Sequence, residues 1–149
     1  MLIIRFSRME DIAAAVPVVE VLANTYPHLR ITFLSRPAAR EMFAHLASNV
    51  SFMGADLRFE YHGVKGMNAL YRRLTAKRFT CIADLHNVLR SEYLRLRFNL
   101  DRYKVAHLDK HKRRRLWLLS PLRKKQKVRP TQQDYADVFA RLGYPIDLE

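Results

Sequence analysis

Cysteine, glycine and tryptophan are all scarce in this chain, and acidic residues are outnumbered. Among 149 residues there are one cysteine, four glycines, one tryptophan, and 14 acidic side chains against 27 lysines and arginines. A lone cysteine, Cys81, closes no intrachain disulfide, which suits a reducing compartment. Its apolar neighbours in "FTCIADL" mark it as a buried, inert thiol. The few glycines form no G-x-G-x-x-G after any strand-like run, so a dinucleotide-binding fingerprint is excluded. No apolar run approaches the roughly 18 residues of a membrane span; the longest, "IAAAVPVV", stops at Glu20. The N-terminus lacks the basic start and long apolar segment of a secretory signal, so a cytoplasmic location is expected.

What the chain has in excess is positive charge. A formal net charge of +13 implies an anionic partner: nucleic acid, a phosphorylated sugar or lipid, or an acidic membrane surface. The excess is concentrated. Residues 107–130, "HLDKHKRRRLWLLSPLRKKQKVRP", contain ten lysines and arginines and one aspartate, a net +9. Charge runs are often solvated faces, but this density favours a partner. Trp117 and its neighbouring leucines suit a segment that rests one face on the domain or dips into a lipid interface.

Strand-like and helix-like segments alternate along the chain. "LIIRF" (2–6), "RITFLS" (30–35), "NVSFMG" (49–54), "FTCIADL" (79–85) and "YKVAHL" (103–108) read as strands. Helices are predicted over 8–26, from Pro37 to about Leu46, over 66–77, over 88–100, and in "TQQDYADVFARLGY" ending at Gly143. Pro17 inside the first helix predicts a kink there, or a regular part that starts near Val16. This alternation argues for an α/β fold: a single Rossmann-like domain with a five-stranded or slightly larger, mainly parallel sheet and helices on both faces. In such open sheets ligands bind beyond the carboxyl ends of the strands, where strand order reverses. With the order 3-2-1-4-5, the crevice lies between the first and fourth strands, walled by "SRMED" (7–11) and "DLHNVLRS" (84–91).

Both walls carry polar residues that fit either structure or chemistry. Ser7 and Glu10 have the spacing of a capping box, and Glu10 and Asp11 suit the positive end of a helix dipole. That accounts for Ser7 and one acid without requiring Asp11 to do chemistry, and spacing leaves both roles open. In the second wall, Asp84 or Asn87 can cap a helix and His86 can be an ordinary loop residue; equally, His86, Asn87 and Arg90 can face a ligand. His107 and His111 flank Asp109 at a metal-like spacing, but the surrounding lysines and arginines disfavour a cation, and no metal site is expected.

Taken together, these segments resemble glycosyltransferase family 9, the ADP-heptose:lipopolysaccharide heptosyltransferases. "LIIRFSRMEDIAAAVPVVEVLANTYPHLRITFLSRP" is similar to the family's opening: a strand, Arg-Phe-Ser-x-x-Gly-Asp, a helix carrying Thr-x-Pro-Val, then Tyr-Pro and a second strand. "IADLHNVLRS" resembles the family's Asp-Leu-His/Gln-x-x-x-Arg-Ser segment. "LDKHKRRRL" resembles its Asp-Lys-basic stretch, and "DYADVFARLGYPID" its Tyr-x-x-x-Leu-x-x-Leu-Gly helix. The similarity is collinear over the whole chain, and it includes the proline at position 17.

The resemblance implies the N-terminal, acceptor-binding half (1–149) of a GT-B-type inverting glycosyltransferase. It places the general base on Asp11, with Ser7, Arg8, Met9, Glu10, His86, Asn87 and Arg90 lining the acceptor crevice. Lys110, Lys112 and Arg113 become candidates for binding anionic groups of the acceptor. The partner implied is an anionic glycolipid, the lipopolysaccharide core, with peripheral contact at the cytoplasmic face of the inner membrane; nucleic acid is the less favoured partner. No cofactor is implied. ADP-heptose enters as donor only with a C-terminal nucleotide-sugar domain, which is expected to lie outside this chain and without which the chain is expected to be inactive. One departure stands out: Glu10 occupies the place of the family's glycine. The alternative from another class is a non-catalytic basic module that binds nucleic acid or acidic membrane through residues 107–130.

Overall fold

The structure is a computed structural model, and it describes residues 1–6, 8–57, 61–77, 79–85, 104–107 and 130–148. In chain order the described elements are β1 (Leu2–Ile4), α1 (Met9–Thr25), β2 (Ile31–Ser35), a 3-10 helix (Pro37–Phe43), β3 (Val50–Gly54), α2 (Gly63–Thr75), β4 (Cys81–Asp84), β5 (Lys104–His107) and α3 (Pro130–Arg141). The five strands form one sheet in the order β3-β2-β1-β4-β5, and every adjacent pair is parallel. The architecture is therefore the α/β sheet read from the sequence, with the expected strand order.

The sheet is buried on both faces, as parallel sheets require. Because side chains alternate along a strand, β1 feeds two cores. Ile3, Phe33 and Ala83 face Ile12, Val19 and Leu22 of α1 and Tyr135 and Phe139 of α3. Leu2, Ile4, Leu34 and Ile82 face Met67, Leu70 and Leu74 of α2. A short aromatic stack reinforces the first core. Phe33 lies 4.2 Å from Phe43 between ring centroids, and Phe43 lies 5.5 Å from Phe52. Cys81 is buried, as its neighbours implied.

Several boundaries differ from the sequence reading. Helix α1 is continuous from Met9 to Thr25 through Pro17 and does not begin near Val16. Pro17 and Ala13, whose carbonyl loses its helical partner, are both exposed, so water can satisfy the freed oxygen while the buried stripe holds the helix together. The segment after Pro37 is a 3-10 helix of seven residues, closed by three-residue bonds such as Ala39 N–H to the Arg36 carbonyl. Helix α2 starts at Gly63 rather than 66; that glycine stands at φ +70°, a left-handed turn into the helix that a residue without a Cβ adopts readily. The predicted helix over 88–100 and the basic stretch 108–129 lie outside the described residues.

The C-terminus of α1 has no basic residue in its last turn. Asn49, just before β3, takes that role: its Nδ2 donates to the carbonyls of Leu29 (2.8 Å), Ala23 (3.2 Å) and Tyr26 (3.3 Å). Asn49→Asp replaces these donors by a carboxylate facing three acceptors. It is expected to cost about 2–3 kcal/mol, read as a lower urea midpoint at unchanged m-value, whereas Asn49→Ala should cost less.

Candidate active site

With strands ordered 3-2-1-4-5, the chain runs from β1 towards β3 on one side and continues at β4 on the other. The reversal falls between β1 and β4. Pairing continues one step past the strand ends there: Arg5 N–H donates to the Leu34 carbonyl at 3.1 Å, and Leu85 N–H donates to the Ile4 carbonyl at 3.0 Å. This frame fixes Arg5 at the carboxyl edge of the sheet, beneath the start of α1.

Arg5 is the only charged residue in an otherwise apolar opening run, and its side chain is only 11% exposed. Its guanidinium reaches three elements. Nη1 donates to the Leu85 carbonyl at 2.6 Å, beyond the end of β4. Nη2 lies 3.5 Å from Asp11 Oδ2 in α1. Its carbon stands 5.8 Å from the ring centroid of Tyr135 in α3. The Tyr135 hydroxyl in turn lies 3.5 Å from the Asp11 carbonyl. One buried cation thus joins the end of β4, the first turn of α1 and the aromatic ring of α3.

Asp11 itself sits at the boundary between core and solvent, its side chain 41% exposed. At 3.5 Å its contact with Arg5 is an ion pair rather than a short hydrogen bond. Among the described residues no other group donates to this carboxylate, which leaves lone pairs to accept a hydrogen bond, or a proton, from a hydroxyl placed at the rim. Its setting in the helix differs from the capping-box expectation. The N-cap is Arg8, which makes no side-chain cap bond, and its carbonyl accepts from Asp11 N–H (3.0 Å) and Ile12 N–H (3.1 Å). The box needs Glu10 as the third helical residue, but with Arg8 as the cap that place belongs to Asp11.

The other candidates are distributed as follows. Arg8 and Glu10 are exposed, and Met9 is half-buried against the first core. Exposed basic residues also follow β2 (Arg36) and stand at the start of α2 (His62 and Lys65), on the same carboxyl edge as Arg8. Asp84, expected at the mouth of the crevice, is instead completely buried as the last residue of β4, in register with Ile4 and His107. Ser7, His86, Asn87, Arg90, Lys110, Lys112 and Arg113 lie outside the described residues. Sequence reading missed Arg5 and Tyr135. Both stand in the motifs that carry the family resemblance, Arg5 at the head of Arg-Phe-Ser and Tyr135 at the head of Tyr-x-x-x-Leu, but nothing in the sequence paired them with Asp11.

A groove of about 870 Å³ opens at the opposite, amino end of the sheet, lined by Tyr26, His28, Arg30, Lys77, Phe79 and Tyr144 among others. It is separated from Asp11 by the length of the strands and is not part of this site. Among the described residues, no group of three or more His, Cys, Asp or Glu side chains is placed to hold a metal ion, and no helix is long and apolar enough to cross a membrane.

No protein-family model matches the chain, and no curated protein matches it in sequence. Solved structures do. A glycosyl transferase of family 9 from Veillonella parvula superposes with a TM-score of 0.68 at 20% identity, over 99% of this chain and 42% of its own. The Escherichia coli heptosyltransferase WaaC with ADP matches with a TM-score of 0.64 at 14% identity, over 98% of this chain and 48% of its own. WaaC with ADP-2-deoxy-2-fluoro heptose gives 0.60 and 16%, over 98% and 49%. The chain spans about half the length of these neighbours, and it has the fold of one half of a GT-B glycosyltransferase.

Proposed function

We propose that this chain is the acceptor-binding half of an inverting, heptosyltransferase-like glycosyltransferase. The observation that carries the reading is Asp11: a half-exposed carboxylate on the first turn of α1, at the carboxyl edge of a parallel sheet where strand order reverses. In that role its carboxylate takes the proton of an acceptor sugar hydroxyl as the oxygen attacks the anomeric carbon of a nucleotide-activated sugar. The C–O bond to the diphosphate breaks, and the configuration at that carbon inverts. The nucleotide diphosphate leaves with the bonding pair. Binding the donor, with ADP-heptose as the proposed substrate, falls to a second half in a longer protein.

The acceptor proposed is an anionic glycolipid of the lipopolysaccharide core type. Arg8, Arg36, His62 and Lys65 are exposed on the same edge of the sheet, and the net charge of +13 favours phosphorylated or acidic sugars over neutral ones. Glu10, in the place of the family's glycine, is exposed, so it adds a negative charge near the base without crowding the core. Ser7, His86, Asn87, Arg90, Lys110, Lys112 and Arg113 remain proposed acceptor contacts.

Titration of the labelled chain with a phosphorylated inner-core oligosaccharide tests this reading. Amide signals of residues 8–11 and of 86–90 are expected to shift, and a neutral oligosaccharide of equal size should leave them in place. If instead only residues 107–130 respond, and any polyanion of the same charge produces the same response, the chain is a general basic module and the acceptor reading fails.

A further inference from the structure

We infer that Arg5 is a positioning residue: its buried guanidinium holds the Asp11 carboxylate in one orientation at the rim. The inference builds on the reading of Asp11 as the base, and adds to it the group that aims the base. A buried cation requires partners, since its desolvation is costly unless charge and hydrogen bonds are returned to it. Arg5 has two such partners, the Leu85 carbonyl 2.6 Å from Nη1 and Asp11 Oδ2 3.5 Å from Nη2, while its buried Nε has no hydrogen-bond partner among the described residues. The first fixes the guanidinium to the sheet, because Leu85 is itself bonded to Ile4. The second then acts on a side chain whose backbone is already fixed. Asp11 N–H donates to the Arg8 carbonyl, and its own carbonyl lies 3.5 Å from the Tyr135 hydroxyl. With main chain and Oδ2 both held, only the torsions of a short side chain remain, and the pair selects one staggered arrangement. The second carboxylate oxygen is left for substrate.

A lysine in place of Arg5 would not do the same. It carries the charge but offers a compact ammonium rather than a planar fork, and cannot span the Leu85 carbonyl and Asp11 with separate, rigidly related nitrogens. An aspartate on the exposed first turn of a helix, without such an anchor, samples several rotamers. The expected consequence for transfer is a loss in kcat larger than the change in KM, on the order of 100-fold for a base displaced by about 1 Å.

The direct test reads orientation rather than activity, on the 149-residue chain without ligand. Three-bond scalar couplings from Asp11 Cγ to its backbone nitrogen and carbonyl carbon report its χ1 populations. The wild-type chain is expected to show the couplings of a single rotamer. In Arg5→Met they should collapse to averaged values, and in Arg5→Lys they should fall between the two, while amide shifts of Ala13–Leu22 stay in place. Averaged couplings in the wild type would overturn the inference, as would couplings unchanged in Arg5→Lys. If Arg5→Met does not fold, the wild type and Arg5→Lys decide the matter alone. Failure here leaves the acceptor titration standing, and failure of that titration leaves the rotamer result standing, so the two ideas fail separately.

Discussion

Asp11→Asn, introduced into a protein that joins this chain to a nucleotide-sugar-binding half, is expected to lower sugar transfer by about 10²–10⁴-fold, the usual contribution of a positioned general base. Asparagine keeps the size and the hydrogen-bonding carbonyl oxygen but cannot take up the hydroxyl proton as a carboxylate does. Acceptor binding should change by no more than a few-fold, because the exposed residues proposed to contact the anionic acceptor, Arg8, Arg36, His62 and Lys65, are untouched. The loss therefore belongs in kcat. The substitution also removes the charged partner of Arg5, so the same preparation needs a far-UV circular dichroism melt to show that the fold persists. Arg5 is buried and loses a charged partner, so the melting midpoint should fall by a few degrees; the fall is limited because Asp11 is itself 41% exposed and water partly screens the pair. An unchanged transfer rate in a folded variant would remove Asp11 from the chemistry and leave its pairing with Arg5 as a purely architectural contact.

The second large effect is on stability. Phe33 in β2 is completely buried and stacks on Phe43 of the 3-10 helix at 4.2 Å, with the ring planes inclined by 26°. Phe43 continues the stack to Phe52 of β3. Phe33→Ala removes the ring between the sheet and the helix that crosses it. About 3–5 kcal/mol should be lost, a large share of the roughly 5–15 kcal/mol that holds a typical domain together. At about 3 °C per kcal/mol for a chain of this size, the melting midpoint should drop by about 10–15 °C. A drop of only 2 or 3 °C would mean that the cavity collapses readily and that the stack contributes little. Phe33→Leu, which keeps most of the volume, should fall well short of the alanine effect.

These two residues were not equally visible in the sequence. Phe33 lies in "RITFLS", where a run of apolar and β-branched residues bounded by turn signals already specifies a buried strand. Asp11 could be located but not interpreted from spacing, because an acid in the first turn of a helix is favourable whatever else it does. Arg5 was harder still. One-dimensional reading treats a cation in a short strand as tolerated noise; its meaning comes from Leu85, 80 residues away, and Tyr135, 130 residues away, neither of which marks itself as a partner. The capping box misled by one position, since Ser7 and Glu10 fit the pattern while the helix starts with Arg8 as its cap. Asn49 shows the same limit. It reads as the first residue of the strand "NVSFMG", yet it precedes β3 and its amide closes the end of a helix more than 20 residues earlier in the chain.

The sequence by itself determined the strands, their alternation with helices and, through the apolar character of each strand, a parallel sheet covered on both faces. Those features follow from local periodicity and burial, which act residue by residue. The tertiary structure alone decided how the carboxyl edge is wired. A charged group buried at the end of β1 must find its partners through space, and the strand order that brings β4 beside β1 supplies them from the Leu85 carbonyl and from the first turn of α1.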